Sequence, residues 1–118
     1  MKKPKVFVVS RGYHDYSAAE PFGEIIYLAE GTMNKFNVAN MVRQFETELK
    51  NSKPDDYLLI GGPTVMCIIA ASMMIQLHGR VNMLLFRSRP KGDDYVERTL
   101  LFSDNLEKEV FDHDAIEK

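Results

Sequence analysis

At 118 residues the chain makes one domain, and a chain of this size buries roughly two thirds of its unfolded surface, enough for a core without staples. An apolar share of 45% and a charged share of 27% are those of an ordinary globular protein. The net charge of -2 argues against bulk binding of duplex nucleic acid but not against a local basic pocket, and a single cysteine, Cys67, excludes an internal disulfide.

The apolar run after the basic N-terminus lasts only from Val6 to Val9, too short for a signal peptide. The longest apolar run, Val65 to Leu77, falls short of the roughly 18 residues that a membrane span needs. We therefore expect a cytoplasmic protein with no membrane partner.

Lys5 to Ser10 is the first strand, and its continuous β-branched residues predict burial on both faces, as in a parallel sheet. A polar, aromatic loop follows, Arg11 to Ser17. Glu24 to Leu28 is a shorter strand, expected at an edge; the segment before it holds Pro21 and is too brief for a full crossover helix, so the strand's direction stays open. Asn37 is placed to cap a helix in which Val38, Met41, Val42, Phe45 and Leu49 recur at helical spacing, with charged residues on the other side. Asn51 to Pro54 ends it.

Asp55 to Phe86 is the organising stretch. It reads as a buried strand (Tyr57 to Ile60), a Gly61-Gly62-Pro63-Thr64 turn, a helix from Val65 to His78, a stop at Gly79 and a second buried strand from Val81. That helix is apolar in almost every direction. One side should cover the sheet, and the other needs cover from the C-terminal segment or a second subunit; we expect a homodimer through Val65–His78. A basic turn from Arg87 to Asp94 leads into a last strand, Tyr95 to Phe102, in a hairpin with the one before. Asp104 and Glu107 resemble a capping box for a short C-terminal helix, and residues from about 112 to 118 should fray.

These elements predict an α/β fold over residues 1–118: a three-layer Rossmann-like sheet of about five strands, mostly parallel with a C-terminal antiparallel hairpin. The first strand should lie beside Tyr57–Ile60, with helices leaving to opposite faces. Ligands of open α/β sheets bind at such a switch point.

Two loops meet there. Gly61 and Gly62 permit close backbone approach, and the amides at Thr64 with the helix dipole favour an anion; the bland alternative is a plain strand-to-helix turn, since Gly-Gly-Pro-Thr fits no nucleotide fingerprint. Ser10, Arg11, Tyr13 and His14, with Asp15 and Tyr16, form the densest polar-aromatic cluster. Arg11 suits a phosphate, Tyr13 or Tyr16 a base, and His14 with Asp15 suits acid–base work; each singly is also an ordinary loop residue. Arg87 and Arg89 lie on the same rim, as a clamp for a polyanion or as solvated charges. Asp55, Asp56, Asp93 and Asp94 read as solvated caps. Met73 stands where a phosphatase loop at Cys67 would need arginine, so Cys67 reads as core. The scattered histidines make no metal site, and no cofactor is implied.

Val8-Val9-Ser10-Arg11 after the first strand, the Gly-Gly-Pro turn into an apolar helix, and the apolar strand after it resemble the layout of small CRISPR-associated Rossmann-like proteins. Some of those are ring nucleases that bind and cut cyclic oligoadenylates. The chain is also similar to small phage-type proteins, families that include sponges for cyclic-nucleotide or ADP-ribose-derived signals of antiviral defence. The resemblance covers the larger part of the layout but, in residues, only Ser10-Arg11 and Gly61–Pro63. It implies a nucleotide-type ligand and, for a phage-encoded protein, the host cytoplasm. The expectation is nucleotide or cyclic-nucleotide binding at the rim, with cleavage left open; the alternative is a protein-interaction module with no small ligand.

Overall fold

A computed structural model describes residues 3–12, 14–31, 34 and 36–102. The expected C-terminal helix and tail, and Tyr13, lie outside the described residues. The strands are β1 (Lys5–Val8), β2 (Glu24–Tyr27), β3 (Tyr57–Ile60), β4 (Arg80–Arg87) and β5 (Asp94–Leu101), and the helices are α1 (Val38–Leu49) and α2 (Thr64–His78). A 3₁₀ helix, Ser17–Phe22, joins β1 to β2. The strand order is β2-β1-β3-β4-β5. Neighbours are parallel except β4 and β5, which are antiparallel, so this is the expected α/β sheet. The direction of β2, open from the sequence, is parallel to β1.

The β1 residues explain its central place. Val6, Phe7 and Val8 are all buried, with Phe7 in one apolar cluster and Val6 and Val8 in the other. Alternation sends successive side chains to opposite faces, so a strand apolar at every position needs cover on both. Each such side chain, fully buried, stabilises the fold by about 1.5–3 kcal/mol.

The Asn37 side chain accepts a hydrogen bond from the Asn40 amide at 3.1 Å, which satisfies one orphan donor at the start of α1. The helix then buries Met41, Phe45 and Leu49, a stripe with four-residue spacing. Pro63 precedes α2 and offers no side-chain cap, and Gly79 closes the helix in the left-handed conformation. Buried on this helix are Met66, Cys67, Ala70 and Met74. Its outward side keeps Ile68 59% exposed.

The long helices do not leave to opposite faces. Met41, Phe45 and Leu49 share one cluster with Met66, Ala70 and Met74, over Phe7, Leu58 and Val81, so α1 and α2 cover the same face. Tyr16, Ala19 and Phe22, from the 3₁₀ helix and the residue before it, cover Val6, Val8, Leu59 and Leu84 on the other. Crossover handedness is the reason. The chain moves outward from β1 to β2, then reverses to reach β3 and continues to β4. Right-handed crossovers in the reversed direction must both run over the face that the first one did not use. The third layer is therefore a single short turn. Its close fit shows at Gly23, where a Cβ would overlap the Pro4 carbonyl oxygen.

At the end of the sheet where β3 and β4 begin, Asp56 corrects the expectation of solvated carboxylates. It is 4% exposed and accepts the Lys5 amide at 2.9 Å and the Lys53 amide at 2.8 Å. Buried Asn82 beside it donates to the Pro54 and Asp56 carbonyls and accepts from Arg80 and Thr99. A buried polar group is costly unless bonded, and these are bonded. Asp94 is also engaged, with Arg87. No helix among the described residues is long and apolar enough to cross a membrane.

Candidate functional site

With order β2-β1-β3-β4-β5, the switch point falls between β1 and β3, whose onward connections run over opposite faces. A cleft of about 250 Å³ opens there, at the C-terminal ends of β1, β3 and β4. Its floor is Leu59, Ile60 and the Gly61-Gly62 turn, and its walls are His14, Asp15 and Tyr16 on one side and Phe86 and Tyr95 on the other. A wider but shallower depression of about 520 Å³ runs along the whole of edge strand β2, beside Lys3, Glu20 and Tyr27.

Backbone geometry makes the floor. Gly62 has a φ of +89°, which a side chain rarely adopts, and a Cβ there would press on Val9 at 3.3 Å. Beneath the turn the buried Cys67 thiol donates to the Gly61 carbonyl at 3.3 Å. Burial pushes this thiol up from its ordinary pKa, which disfavours the reactive thiolate.

Asp15 shapes one wall. Its carboxylate accepts the Ser17 amide at 2.9 Å, which starts the 3₁₀ helix and holds the carboxyl below its ordinary pKa. Tyr16 then turns inward onto Val6, Val8 and Leu59. Burial lifts its phenol above the usual value, with Tyr27 and Cys67 adding. The other wall is a register pair across the hairpin, Phe86 opposite Tyr95, with ring centroids 5.7 Å apart in an edge-on packing. Burial also lifts the Tyr95 phenol, with smaller contributions from Tyr16 and Asp15. Both tyrosines are therefore neutral at physiological pH.

The sequence candidates divide. His14, Gly61 and Gly62 come together in the cleft, with His14 exposed at its mouth and its ring 6.1 Å from that of Tyr16. Thr64 stands exposed at the start of α2, next to the turn but outside the cleft wall, and half-buried Ser10 is likewise not part of it. Arg11 turns toward the β2 side: its backbone amide bonds Ala29, its guanidinium bonds Glu30 at 2.9 Å and lies 4.2 Å from the Tyr27 ring centroid. Arg87 grips Asp94 through two hydrogen bonds, at 3.0 and 2.8 Å, and Arg89 approaches the same carboxylate at 4.0 Å. Asp15, Phe86 and Tyr95 were not singled out from the sequence as ligand-binding residues. The signal for the last two was present, because aromatics flanking a hairpin turn at equal distance must face each other. Among the described residues no group of three metal-ligating side chains converges.

The fold and the cleft define a single-sheet α/β protein with a small, aromatic-walled site at its switch point. The sequence model for the family described as Phage Pam3 gp32-like protein matches residues 4–100, from β1 through all but the last residue of β5, and the chain belongs to that family. No curated protein and no solved structure matches it.

Proposed function

We propose that this phage-family protein binds a nucleotide or cyclic nucleotide in the cleft beyond β1, β3 and β4. The observation that carries the reading is the convergence of His14, Gly61 and Gly62 with the aromatic pair Phe86 and Tyr95 at the switch point. A glycine floor admits a ligand close to backbone, and aromatic walls suit a flat ring. Phosphate is best accommodated at the start of α2, where Pro63 supplies no side-chain cap and the dipole favours negative charge. The role first expected of Arg11 is weakened by its contacts with Glu30 and Tyr27.

The ring-nuclease side of the family resemblance enters here as the catalytic form of the same proposal. Cleavage by an adjacent ribose hydroxyl needs little beyond positioning and charge stabilisation. The first test is thermal shift against a panel of nucleotides and cyclic oligonucleotides, with product analysis of each ligand that stabilises. A shift that disappears in Gly62→Val supports the site. No shift across the panel defeats the reading, and turnover lost in His14→Ala separates cleavage from sequestration.

A second reading rests on α2. Ile68 and Leu77 remain exposed on a helix with almost no polar side, which favours a second copy of the chain as its cover. Sedimentation velocity should then show a dimer for the natural chain and a monomer for Ile68→Asp. A natural chain that stays monomeric at micromolar concentration defeats it.

A further inference from the structure

Resting on the nucleotide reading, we propose that the cleft seats the base of the ligand and leaves its phosphate outside. Three observations converge on a flat, uncharged ring.

Charge is the first. Among the described residues that line the cleft, Asp15 is the one carboxylate and there is no lysine or arginine. The three arginines nearest the rim in sequence are engaged with Glu30 and Asp94. A phosphate in the cleft would therefore meet a carboxylate without a compensating cation, a repulsion that grows as water is excluded. An uncharged ring meets no such cost.

Polar groups are the second. Tyr16 and Tyr95 both line the cleft, and neither hydroxyl bonds a protein group among the described residues, although neither is a fully buried atom. Tyr57, on the same face of the sheet, differs, because its hydroxyl donates to Glu97 at 3.2 Å. A hydroxyl both donates and accepts, so two tyrosines lining one cleft can supply the mixed donor and acceptor set that a nucleobase edge needs.

Shape is the third. About 250 Å³ lies below the roughly 300–1,000 Å³ of a drug-sized site, which leaves room for one ring system and not for two joined nucleotides. Phe86 keeps 56% of its surface exposed while its ring is braced edge-on by Tyr95, so it offers a fixed stacking surface.

Calorimetric titration separates base from phosphate. The probes are adenosine, guanosine, cytidine and uridine, each with its 5′-monophosphate, together with ribose 5-phosphate and cyclic oligoadenylates. At least one nucleoside should bind within about threefold of its monophosphate, since the phosphate adds little from outside, and ribose 5-phosphate should give no heat. Phe86→Ala, at an exposed position, should weaken that nucleoside about tenfold or more with an unchanged melting temperature. Tyr95→Phe should weaken it while keeping the ring. Binding of ribose 5-phosphate and the monophosphates with silent nucleosides would place phosphate in the cleft, overturning this inference while the nucleotide reading survives. Nucleoside binding indifferent to Phe86→Ala and Tyr95→Phe would move the base elsewhere and also overturn it. Silence from every probe, cyclic ones included, would remove both.

Discussion

The two ends of the sheet engage their polar groups to different degrees, although the closure at one end is incomplete: Arg80 Nε, where β4 begins, is buried without a partner among the described residues. Where β3 and β4 begin, Asp56 and Asn82 are buried, and their hydrogen bonds go to the backbone of the first strand and the preceding turn and to Arg80 and Thr99. Where those strands finish, Tyr16 and Tyr95 line a cleft, and their hydroxyls bond no protein group among the described residues. Bonds closed within the chain fix a fold, whereas polar groups held rigid and left open are available to something else. One end thus serves stability, and the other is where the proposed recognition would take place, although both lie on the same strands.

The sharpest test of this division removes the closed end. Asp56→Ala takes away an acceptor shared by the Lys5 and Lys53 amides and should cost about 3 kcal/mol in denaturant unfolding, because bonds to a charged acceptor contribute more than neutral ones. Ligand affinity of the fraction still folded should not change. A variant as stable as the natural chain would erase the distinction. At the open end, Gly62→Ala must hold a Cβ at positive φ against Val9, and a loss of about 1–2 kcal/mol is expected. Here ligand affinity should fall as well.

Smaller effects appear as pH dependence. The Tyr16 and Tyr95 pKa values are raised in the folded state from a reference of 10.0. The folded protein therefore holds those protons more tightly than the unfolded chain, and this contribution is complete below pH 10 and is lost as pH rises through the folded values. Tyr16→Phe with Tyr95→Phe should move alkaline unfolding, followed by circular dichroism, to higher pH. The Asp94 carboxyl is shifted the other way, below 3.8, by its hydrogen bonds to Arg87. Its contribution is present above pH 3.8 and fades as pH falls through the folded value. The effect is the smallest of the set, since the pair is open to solvent and screened. Asp94→Asn should flatten the acid limb of a melting-temperature profile slightly and leave the alkaline limb alone.

The sequence made strands and helices legible to within a residue or two, because burial on both faces of β1, the four-residue stripe of α1 and the Gly79 stop are local features. It did not show which face each helix covers. Hydrophobic spacing reveals the buried side of a helix, but the side of the sheet depends on the order in which strands are visited, and the reversal at β2 decided that. The site was half legible for a similar reason. Gly61, Gly62 and His14 stand in loops that the switch-point rule identifies, while Phe86 and Tyr95 needed the hairpin register to be brought opposite each other. Arg11, Arg87 and Arg89 looked available because their acidic partners are not sequence neighbours, Glu30 being 19 residues from Arg11 and Asp94 seven from Arg87.

The thiol under the glycine turn carries a practical consequence. Cys67 is the chain's single cysteine, and its thiol donates to the carbonyl of Gly61, in the turn that lines the cleft. Cys67 is 8% exposed and its thiol is tied to that carbonyl, so labelling by a thiol-reactive dye should quicken whenever the turn moves away. The protein thus contains its own stopwatch for the movement of the turn, and a ligand seated above it would make the clock run slow.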